Sequence, residues 1–244
     1  MMMSEKVIPY KNSTDSKKHQ VAEMFNNIAK KYDFLNHFLS MGIDKLWRNK
    51  VISILKKHRP KTILDIATGT GDLAITALKT HPEKVTGIDI STGMLEIGRQ
   101  KIKKKGIDNI IELLEGDSEN IRFPDQSFDA AIVAFGVRNF ENLQKGLNEI
   151  HRVLKPGTPF IVLEFSKPNK FPIKQLYNFY FTNILPFIGK LFSKDNSAYT
   201  YLPQSVNAFP EGKAFLNKLK EAGFKTVKEK RLSFGIASIY VAEK

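Results

Sequence analysis

The sequence predicts an α/β fold around a mostly parallel sheet, with an antiparallel hairpin at its C-terminal end. Short apolar runs of strand length alternate with segments of helical periodicity between residues 62 and 165. This alternation is typical of βα units, whose parallel strands are buried on both faces. Two further strand-like runs, 225–232 and 236–242, lie on either side of Gly235 and indicate the antiparallel edge.

The first strand and the turn after it carry the clearest functional signal. Residues 62–72 read T-I-L-D-I-A-T-G-T-G-D, which is a strand over 62–67, a glycine turn, and a helix that begins at Asp72. Gly69 and Gly71 let the backbone turn sharply and leave no Cβ between the main chain and a ligand. The amides of the following helix favour a polar or anionic group. The turn therefore predicts a nucleotide-like cofactor.

The second strand supports this interpretation. It covers residues 85–90 and contains Asp89, twenty residues after Gly69. At that spacing the acid of a second strand meets ribose hydroxyls in α/β nucleotide sites. Gly69, Gly71 and Ala74 also satisfy the pattern G-x-G-x-x-A, so a nicotinamide cofactor stays open at this point. The structural alternative is a tight turn followed by a surface aspartate.

The remaining elements follow in order along the chain. Residues 16–60 read as helices, the second of them capped by Asp44, and form either packing for the sheet edge or a lid over the cofactor. Residues 1–15 are polar and predicted to be mobile, and 16–244 form one domain. The later strands are predicted at 110–114, 128–135 and 160–165. One later helix is predicted to begin at Ser91, and two more are predicted to cover 141–154 and 211–224.

An aromatic-rich insertion occupies residues 171–205. Within it, residues 171–192 contain seven aromatic side chains, two lysines and no acid. Pro186 and Gly189 interrupt this stretch, which is too short to span a bilayer. It suits a pocket wall or a segment at a membrane interface, and the structural alternative is a helix packed on the core.

Composition sets the broad class. The chain has 244 residues, 42% hydrophobic and 26% charged, as in an ordinary globular protein, and it has no cysteine for disulfide or thiolate chemistry. With no apolar leader and no run of about 18 apolar residues, a cytoplasmic protein is predicted. The net charge of +13 fits a lysine-rich proteome, a nucleic-acid surface or an anionic membrane surface.

The chain resembles the ubiquinone/menaquinone biosynthesis C-methyltransferase family from about Val21 to the C-terminus. The glycine turn is common to many methyltransferases, whereas the other motifs are specific in combination. Ala134 departs from a frequent serine, which removes one hydroxyl contact, and Thr158 replaces a usual glycine. The motifs are K-Y-D at 31–33 with Asn36, S-M-G at 40–42, L-W-R at 46–48, L-D-I-A-T-G-T-G-D at 64–72, F-G-V-R-N at 135–139, R-V-L-K-P-G at 152–157, L-E-F-S-K-P at 163–168, and S-A-Y at 197–199 with Tyr201 and Leu202.

The resemblance implies a Rossmann-like class I methyltransferase with a seven-stranded sheet and S-adenosylmethionine as cofactor, which replaces the nicotinamide interpretation. By similarity, Thr70 and the amides of the glycine turn hold the methionine part, and Asp89 holds the ribose. Asp117 and Ser118 meet the adenine edge, since a carboxylate accepts from an exocyclic amine. The five histidines show no metal spacing, and methyl transfer from a sulfonium needs no metal.

The implied reaction methylates a ring carbon of a reduced, polyprenylated quinone precursor. Demethylmenaquinol is favoured over the benzoquinol of the ubiquinone pathway. Ionising a hydroxyl with a pKa near 10 at pH 7 costs about 4 kcal/mol, so the site needs a base or a cationic stabiliser. Arg138 suits the oxyanion, with a structural ion pair as its alternative. Tyr32 and Asp72 are the candidate bases or relays, with Asp33 and His37 behind them.

The partners are predicted from the same features. A prenyl tail explains residues 171–192, and Lys170, Lys174 and Lys190 suit anionic lipid, which would place the protein at the inner face of the membrane. A homodimer is left open. No nucleic-acid partner is expected, because residues 135–139 lack the Pro-Pro-aromatic motif of adenine methylation. A non-catalytic scaffold and a methyltransferase for another small aromatic or lipid are the remaining alternatives.

Overall fold

The computed structural model describes residues 7–40, 42–184 and 197–244, and these contain a seven-stranded mixed sheet. The strand order is β3-β2-β1-β4-β5-β7-β6. Strands β1 to β5 pair in parallel, while β7 runs antiparallel to both β5 and β6. The predicted fold class is confirmed. The strands are β1 Thr62–Ile66, β2 Lys84–Asp89, β3 Ile111–Glu115, β4 Ala130–Ala134, β5 Pro159–Phe165, β6 Thr226–Leu232 and β7 Ala237–Glu243.

The order of the strands reverses between β1 and β4. In open parallel sheets a crevice forms at the carboxyl ends of the strands at such a point, so the strand order places the ligand site beside the glycine turn. Helices cover the sheet. They are α1 Lys17–Leu39, α2 Ile43–Leu55, α3 Asp72–Ala77, α4 Thr92–Lys105, α5 Leu143–Val153, α6 Ile173–Phe179, α7 Ser197–Ala208 and α8 Lys213–Glu221, with a π-helical stretch Tyr180–Ile184 after α6.

A core lies on each face of the sheet, because successive side chains of β5 point to opposite faces. Phe160 and Val162 belong to the core that includes α5 and α8, and Ile161 and Leu163 to the core that includes α2, α3 and α4. All four side chains are fully buried. This burial explains the continuous apolar run that predicted β5.

The N-terminal part of the chain differs from the prediction at Asp44. The sequence predicts that Asp44 caps α2, but α2 begins at Ile43 and Gly42 precedes it with φ 74°. Asp44 is buried in the first turn and binds Ser40, His37 and Arg48. Burial opposes its ionisation, yet the hydrogen bond from Ser40 and the charge of Arg48 outweigh that effect and lower the pKa of Asp44.

Residues 7–15 of the predicted mobile N-terminus make contacts with α1. Val7 and Tyr10 pack against Val21 and Met24, and the Tyr10 amide donates to Gln20 Oε1 at 2.9 Å. Residues 1–6 lie outside the described residues. The division into an N-terminal segment, a helical lid and an insertion remains a prediction.

Leu147 on α5 provides a test of the core. Its side chain is fully buried between α5 and the sheet, so Leu147→Ala is expected to lower the free energy of unfolding by about 2–5 kcal/mol. Urea denaturation measures the change. The matched control is Leu46→Ala, since Leu46 is 67% exposed and its change should stay within about 0.5 kcal/mol. Equal losses in both variants would contradict the assignment of the core.

Candidate active site

The glycine turn joins β1 to α3 and forms the floor of a cleft. Gly69 and Gly71 have φ values of 57° and 79°, which side chains rarely adopt. A Cβ on Gly69 would also lie 3.3 Å from Met94 Cε. The cleft above the turn includes Gly69, Asp89, Asp117 and Ser118 in its walls. The turn, the second-strand acid and the residues after β3 therefore meet at one site, as the sequence predicts.

Asp89 at the end of β2 holds the turn in place. Its Oδ2 accepts from the Gly69 amide and its Oδ1 from the Ser91 amide, both at 2.8 Å. Burial raises the pKa of Asp89, while the amides of Ser91 and Gly69 favour the carboxylate. The carboxylate also lines the cleft, where ribose hydroxyls can donate to it.

Asp117 follows β3 at one end of the cleft, beside Ser118. Its Oδ2 pairs with Lys18 Nζ of α1 at 2.6 Å, and its Oδ1 accepts from the Glu119 amide at 2.8 Å. Lys18 is a residue that sequence reasoning missed. Its spacing in α1 gives no signal, because the contact joins positions 99 residues apart.

Helix α1 covers the cleft and is fixed to α4. Asn26 Oδ1 lies 2.8 Å from both Ser91 Oγ and the Gly93 amide, which donates to it. A Cβ at Gly93 would lie 3.0 Å from that oxygen, so glycine permits the close approach. Val21, Phe25 and Tyr32 of α1 line the cleft. This position is the one expected of a lid.

The opposite end of the cleft contains a charged network around Lys101 of α4. Lys101 Nζ lies 2.8 Å from Asp33 Oδ2, 2.6 Å from Asp72 Oδ1 and 3.0 Å from Thr70 Oγ1. Thr70 Oγ1 in turn donates to Asp33 Oδ1 at 2.5 Å. His37 Nε2 lies 3.6 Å from Asp72. Asp33, Thr70 and Asp72 are thus brought together by Lys101, which the sequence analysis did not single out, and His37 joins the group through Asp72.

Two buried groups near this network have atoms without partners. Asp65 Oδ2 accepts from Thr68 Oγ1 at 2.6 Å, but its Oδ1 has no hydrogen-bond partner. Burial raises the pKa of Asp65 to about 7. Arg48 pairs with Asp44, and its Nε is also unpartnered. Both residues line a smaller pocket beside Thr70 and Asp72. One acid and one cation at this end of the cleft suit a zwitterionic group.

Arg138 lies in the short turn Val137–Asn139 after β4. Its NH1 donates to Glu164 Oε1 at 2.8 Å and to the Phe135 carbonyl, and the guanidinium covers the Phe165 ring at 5.6 Å. Glu164 is fully buried at the end of β5. The sequence offers an oxyanion stabiliser or an ion pair as the role of Arg138, and the ion pair is present. The partner, Glu164, was missed, although it lies in the quoted motif L-E-F-S-K-P.

Tyr32 of α1 reaches both pockets and packs edge-on against Phe25 at 5.8 Å. Burial raises the pKa of Tyr32, and the charges of Arg48 and Arg138 oppose the shift. A tyrosine with a raised pKa keeps its proton at neutral pH. Its hydroxyl is therefore a hydrogen-bond donor or relay, and a poor base.

The fold and the cleft together define a class I methyltransferase that uses S-adenosylmethionine. The defining features are the glycine turn after β1, the acid at the end of β2, the polar groups after β3 and the reversed seventh strand. Residues 13–244 match the ubiE/COQ5 methyltransferase family, and the chain belongs to that family. The resemblance, the enzyme class and the cofactor are thereby confirmed. Asp65 and Arg48 at one end of the cleft and Asp89 at its middle fit the charges and hydroxyls of that cofactor.

Several relatives match the chain over nearly its full length. The demethylmenaquinone methyltransferase of Bacteroides fragilis is 50% identical over 98% of both chains. The protein of that name from Porphyromonas gingivalis is 44% identical over 100% of both chains. The ubiquinone/menaquinone biosynthesis C-methyltransferase UbiE of Geotalea daltonii is 45% identical over 93% of this chain and 97% of its own.

Solved structures with low identity share the fold. The cyclase SpnF has a TM-score of 0.69 at 15% identity and covers 93% of this chain and 96% of its own. A SAM dependent methyltransferase from Aquifex aeolicus has a TM-score of 0.51 at 22% identity, with 75% and 81% covered. In the part of the chain that the structure describes, no helix has the length and apolar character needed to cross a membrane.

Asp89 gives a test of the cofactor site. Asp89→Ala removes the acceptor of the Gly69 and Ser91 amides, and with it the predicted acceptor of the ribose hydroxyls. Because hydrogen bonds to a charged group contribute about 1.5–3 kcal/mol each, we expect the Kd for S-adenosylmethionine to rise about 10- to 100-fold. Isothermal titration calorimetry measures the Kd. Asp108→Ala, at an exposed position, is the control, and an unchanged Kd in Asp89→Ala would refute the assignment.

Proposed function

We propose that this protein transfers a methyl group from S-adenosylmethionine to a ring carbon of demethylmenaquinol and so forms menaquinol. The observation that carries the proposal is the identity of 50% over 98% of both chains with the demethylmenaquinone methyltransferase of Bacteroides fragilis. Relatives with this name from Porphyromonas gingivalis and Chlorobaculum tepidum are 44% identical over the whole chain.

The cleft provides positions for each part of the cofactor. Asp117 and Ser118 accept from and donate to the adenine edge, and Asp89 accepts from the ribose hydroxyls. The amides of the glycine turn, with Thr70, hold the methionine part, where Asp65 and Arg48 supply opposite charges for its ammonium and carboxylate. When bound, the cofactor supplies a methyl group on a positively charged sulfur. These roles are supported by the placement of all these residues along the two adjoining pockets.

The acceptor ring needs a stabilised oxyanion next to the carbon that is methylated. Arg138 carries a permanent charge and has one buried N–H group, Nε, without a partner, so it can hold that oxygen. Tyr32 donates a hydrogen bond from the lid, as its raised pKa favours. Asp72 is already paired with Lys101 at 2.6 Å, so its role is to position the turn and the lid.

Mass spectrometry of the product tests this function. The protein is incubated with S-adenosylmethionine and either reduced demethylmenaquinone or the reduced demethoxy-benzoquinol precursor. We expect one added methyl on the naphthoquinol, because relatives named for that reaction match the chain over 98% to 100% of its length. Asp89→Ala is the control for dependence on the cofactor site. Intact binding of S-adenosylmethionine without methylation of either ring would refute the quinol assignment.

The second candidate function is C-methylation of the benzoquinol in the ubiquinone pathway. It is favoured by the relative from Geotalea daltonii, which is 45% identical and is named for both pathways. Methylation of both rings in the same experiment would indicate an enzyme of two pathways. A homodimer remains a prediction, which sedimentation velocity can test.

We further propose that an apolar surface docks the protein on an anionic membrane, where a prenylated quinol resides. This surface consists of large exposed side chains from neighbouring segments. Leu46 and Phe234 are neighbours of Trp47 and Ser233, and Trp47 Nε1 donates to Ser233 Oγ at 2.9 Å. A Cβ at Gly235 would lie 3.4 Å from Pro168 Cα, so the segment before Phe171 approaches the same region. The exposed fractions are 67% for Leu46, 81% for Phe171, 61% for Leu176, 58% for Phe179 and 83% for Phe234.

The inner side of the same insertion packs on the site. Tyr177 is buried and stacks on Phe181 at 4.2 Å, and Phe181 meets Phe165 at 6.4 Å. The insertion thus has one side toward the Arg138 region and one side toward solvent, which suits a path for an apolar tail. Lys170 and Lys174 are exposed beside it. Residues 185–192 of the aromatic stretch, with Lys190, lie outside the described residues.

Liposome sedimentation tests the surface. The double variant Phe171→Ser with Phe179→Ser should bind vesicles with anionic lipid at least about tenfold more weakly, because each inserted Phe contributes about 1.5–3 kcal/mol. Lys104→Ser with Lys105→Ser at the end of α4 is the control for nonspecific charge. If the wild-type protein stayed in solution with and without anionic lipid, the membrane proposal would fail.

A further inference from the structure

The buried pair of Arg138 and Glu164 leaves polar atoms without partners. Glu164 Oε1 accepts from Arg138 NH1 and from the Phe165 amide, both at 2.8 Å. Glu164 Oε2 and Arg138 Nε are buried, and neither has a hydrogen-bond partner among the residues that the structure describes. Such groups are rare in folded proteins, because an unpaired buried polar atom is costly. The pair therefore has the capacity for one more acceptor and one more donor contact.

Two tyrosines from the neighbouring helices bring further polar atoms to the same region. The hydroxyls of Tyr177 on α6 and Tyr201 on α7 are buried and have no hydrogen-bond partner in the described part of the chain. The charges of Arg138 and Glu164 both influence the pKa of each tyrosine. Helix α7 packs against the turn Val137–Asn139, which carries Arg138. The unpartnered atoms thus belong to the two members of the ion pair and to the two tyrosines near it.

The chemistry of this group matches a ring hydroxyl. A carboxylate oxygen accepts a hydrogen bond, a guanidinium N–H donates one, and tyrosine hydroxyls do both. A hydroxyl that binds there donates its proton toward Glu164 and receives a hydrogen bond from Arg138. The Phe165 ring lies against the Arg138 guanidinium and contacts Phe181, so aromatic side chains surround this region.

We propose that Glu164 is the proton acceptor for the ring hydroxyl of the quinol, while Arg138 holds the resulting oxyanion and Tyr177 and Tyr201 orient the ring. This inference rests on the proposed function, because it requires an acceptor with a hydroxyl next to the methylated carbon. Glu164 is then a catalytic residue. It lies in the motif L-E-F-S-K-P, to which the sequence analysis gives no catalytic role.

The proposed step conserves protons and electrons. The hydroxyl proton moves to Glu164 Oε2, and the electron pair of the ring forms the new carbon–carbon bond to the methyl group as the methyl–sulfur bond breaks. The sulfur keeps that bond pair and becomes neutral. The methylated carbon then loses its hydrogen as a proton to water, and protonated Glu164 returns its proton to the ring oxygen. One proton is released in each turnover.

Glu164 suits this role better than the bases predicted from the sequence. Tyr32 keeps its proton. One oxygen of Asp72 pairs with Lys101 and the other lies 3.6 Å from His37, whereas Glu164 pairs with Arg138 through Oε1 alone and its Oε2 has no hydrogen-bond partner among the described residues. Burial raises the pKa of Glu164 and the charge of Arg138 opposes that shift, so the carboxyl group titrates above its ordinary range. A base is most effective when its pKa approaches the working pH. The ionisable groups that act on it are Arg138, Tyr177 and Tyr201, and Glu211 acts on Tyr177.

The test is the pH dependence of kcat in Glu164→Gln. Glutamine keeps the volume and an oxygen that can accept from Arg138 and the Phe165 amide, but it cannot take a proton. We expect kcat at pH 7 to fall about 100-fold or more. The wild-type kcat should decline as the pH falls through the pKa of Glu164. The kcat of the variant should instead rise about tenfold per pH unit toward alkaline pH, because the ring hydroxyl must then ionise without a base.

The controls separate catalysis from structure. Glu149→Gln alters another Glu–Arg pair, with Arg152 at 2.8 Å on α5, and should leave the profile unchanged. Tyr201→Phe should lower kcat/KM about tenfold without moving the profile. Calorimetry with S-adenosylmethionine verifies that each variant is folded. If Glu164→Gln does not fold, Glu164→Asp decides: a lower kcat with the acidic limb retained supports the proposal, and a profile without that limb overturns it.

The outcomes distinguish this inference from the proposed function. A Glu164→Gln enzyme with kcat within about threefold of wild type and the wild-type pH profile overturns the role of Glu164 and leaves the quinol function standing. A wild-type protein that methylates neither quinol overturns both.

Discussion

The position of α1 across the carboxyl ends of the strands is the constraint on which the site depends. The helix is held at three places, by Lys18 on Asp117, by Asn26 against Ser91, and by Asp33 on Thr70. These contacts hold α1 over the cleft above the glycine turn, where Val21, Phe25 and Tyr32 form part of its wall. Because charges interact more strongly in less polar surroundings, the polar groups beneath α1 gain influence on a bound ligand.

Much of the fold follows from local patterns in the sequence. The strands were predicted within about two residues, because parallel strands buried on both faces leave continuous apolar runs. The cofactor cleft was predicted for a related reason. Gly69, Gly71 and Asp89 lie at fixed distances along one βαβ unit, so their spacing carries the geometry.

The parts that were not predicted depend on contacts between distant segments. Lys101 reaches Asp33 over 68 residues, and Glu164 meets Arg138 over 26, and no local period records either contact. Asp44 shows a related failure. An aspartate just before a segment of helical apolar periodicity is typical of a helix N-cap. Here, contacts with His37 and Arg48 place Asp44 inside the first turn of α2 and bury it.

The contacts that hold α1 have a thermodynamic consequence for ligand binding. Asp117 and Thr70 already have partners on α1, so an adenine or methionine group that binds them exchanges one hydrogen bond for another. Such an exchange adds little affinity, but it weakens the contacts of Lys18 with Asp117 and of Asp33 with Thr70, while Glu119 and Lys101 remain as their other partners. Ligand affinity and the stability of the α1 contact are therefore linked, and each lowers the other by the same factor. The cleft therefore favours ligands that fully replace the hydrogen bonds that Asp117 and Thr70 make with α1.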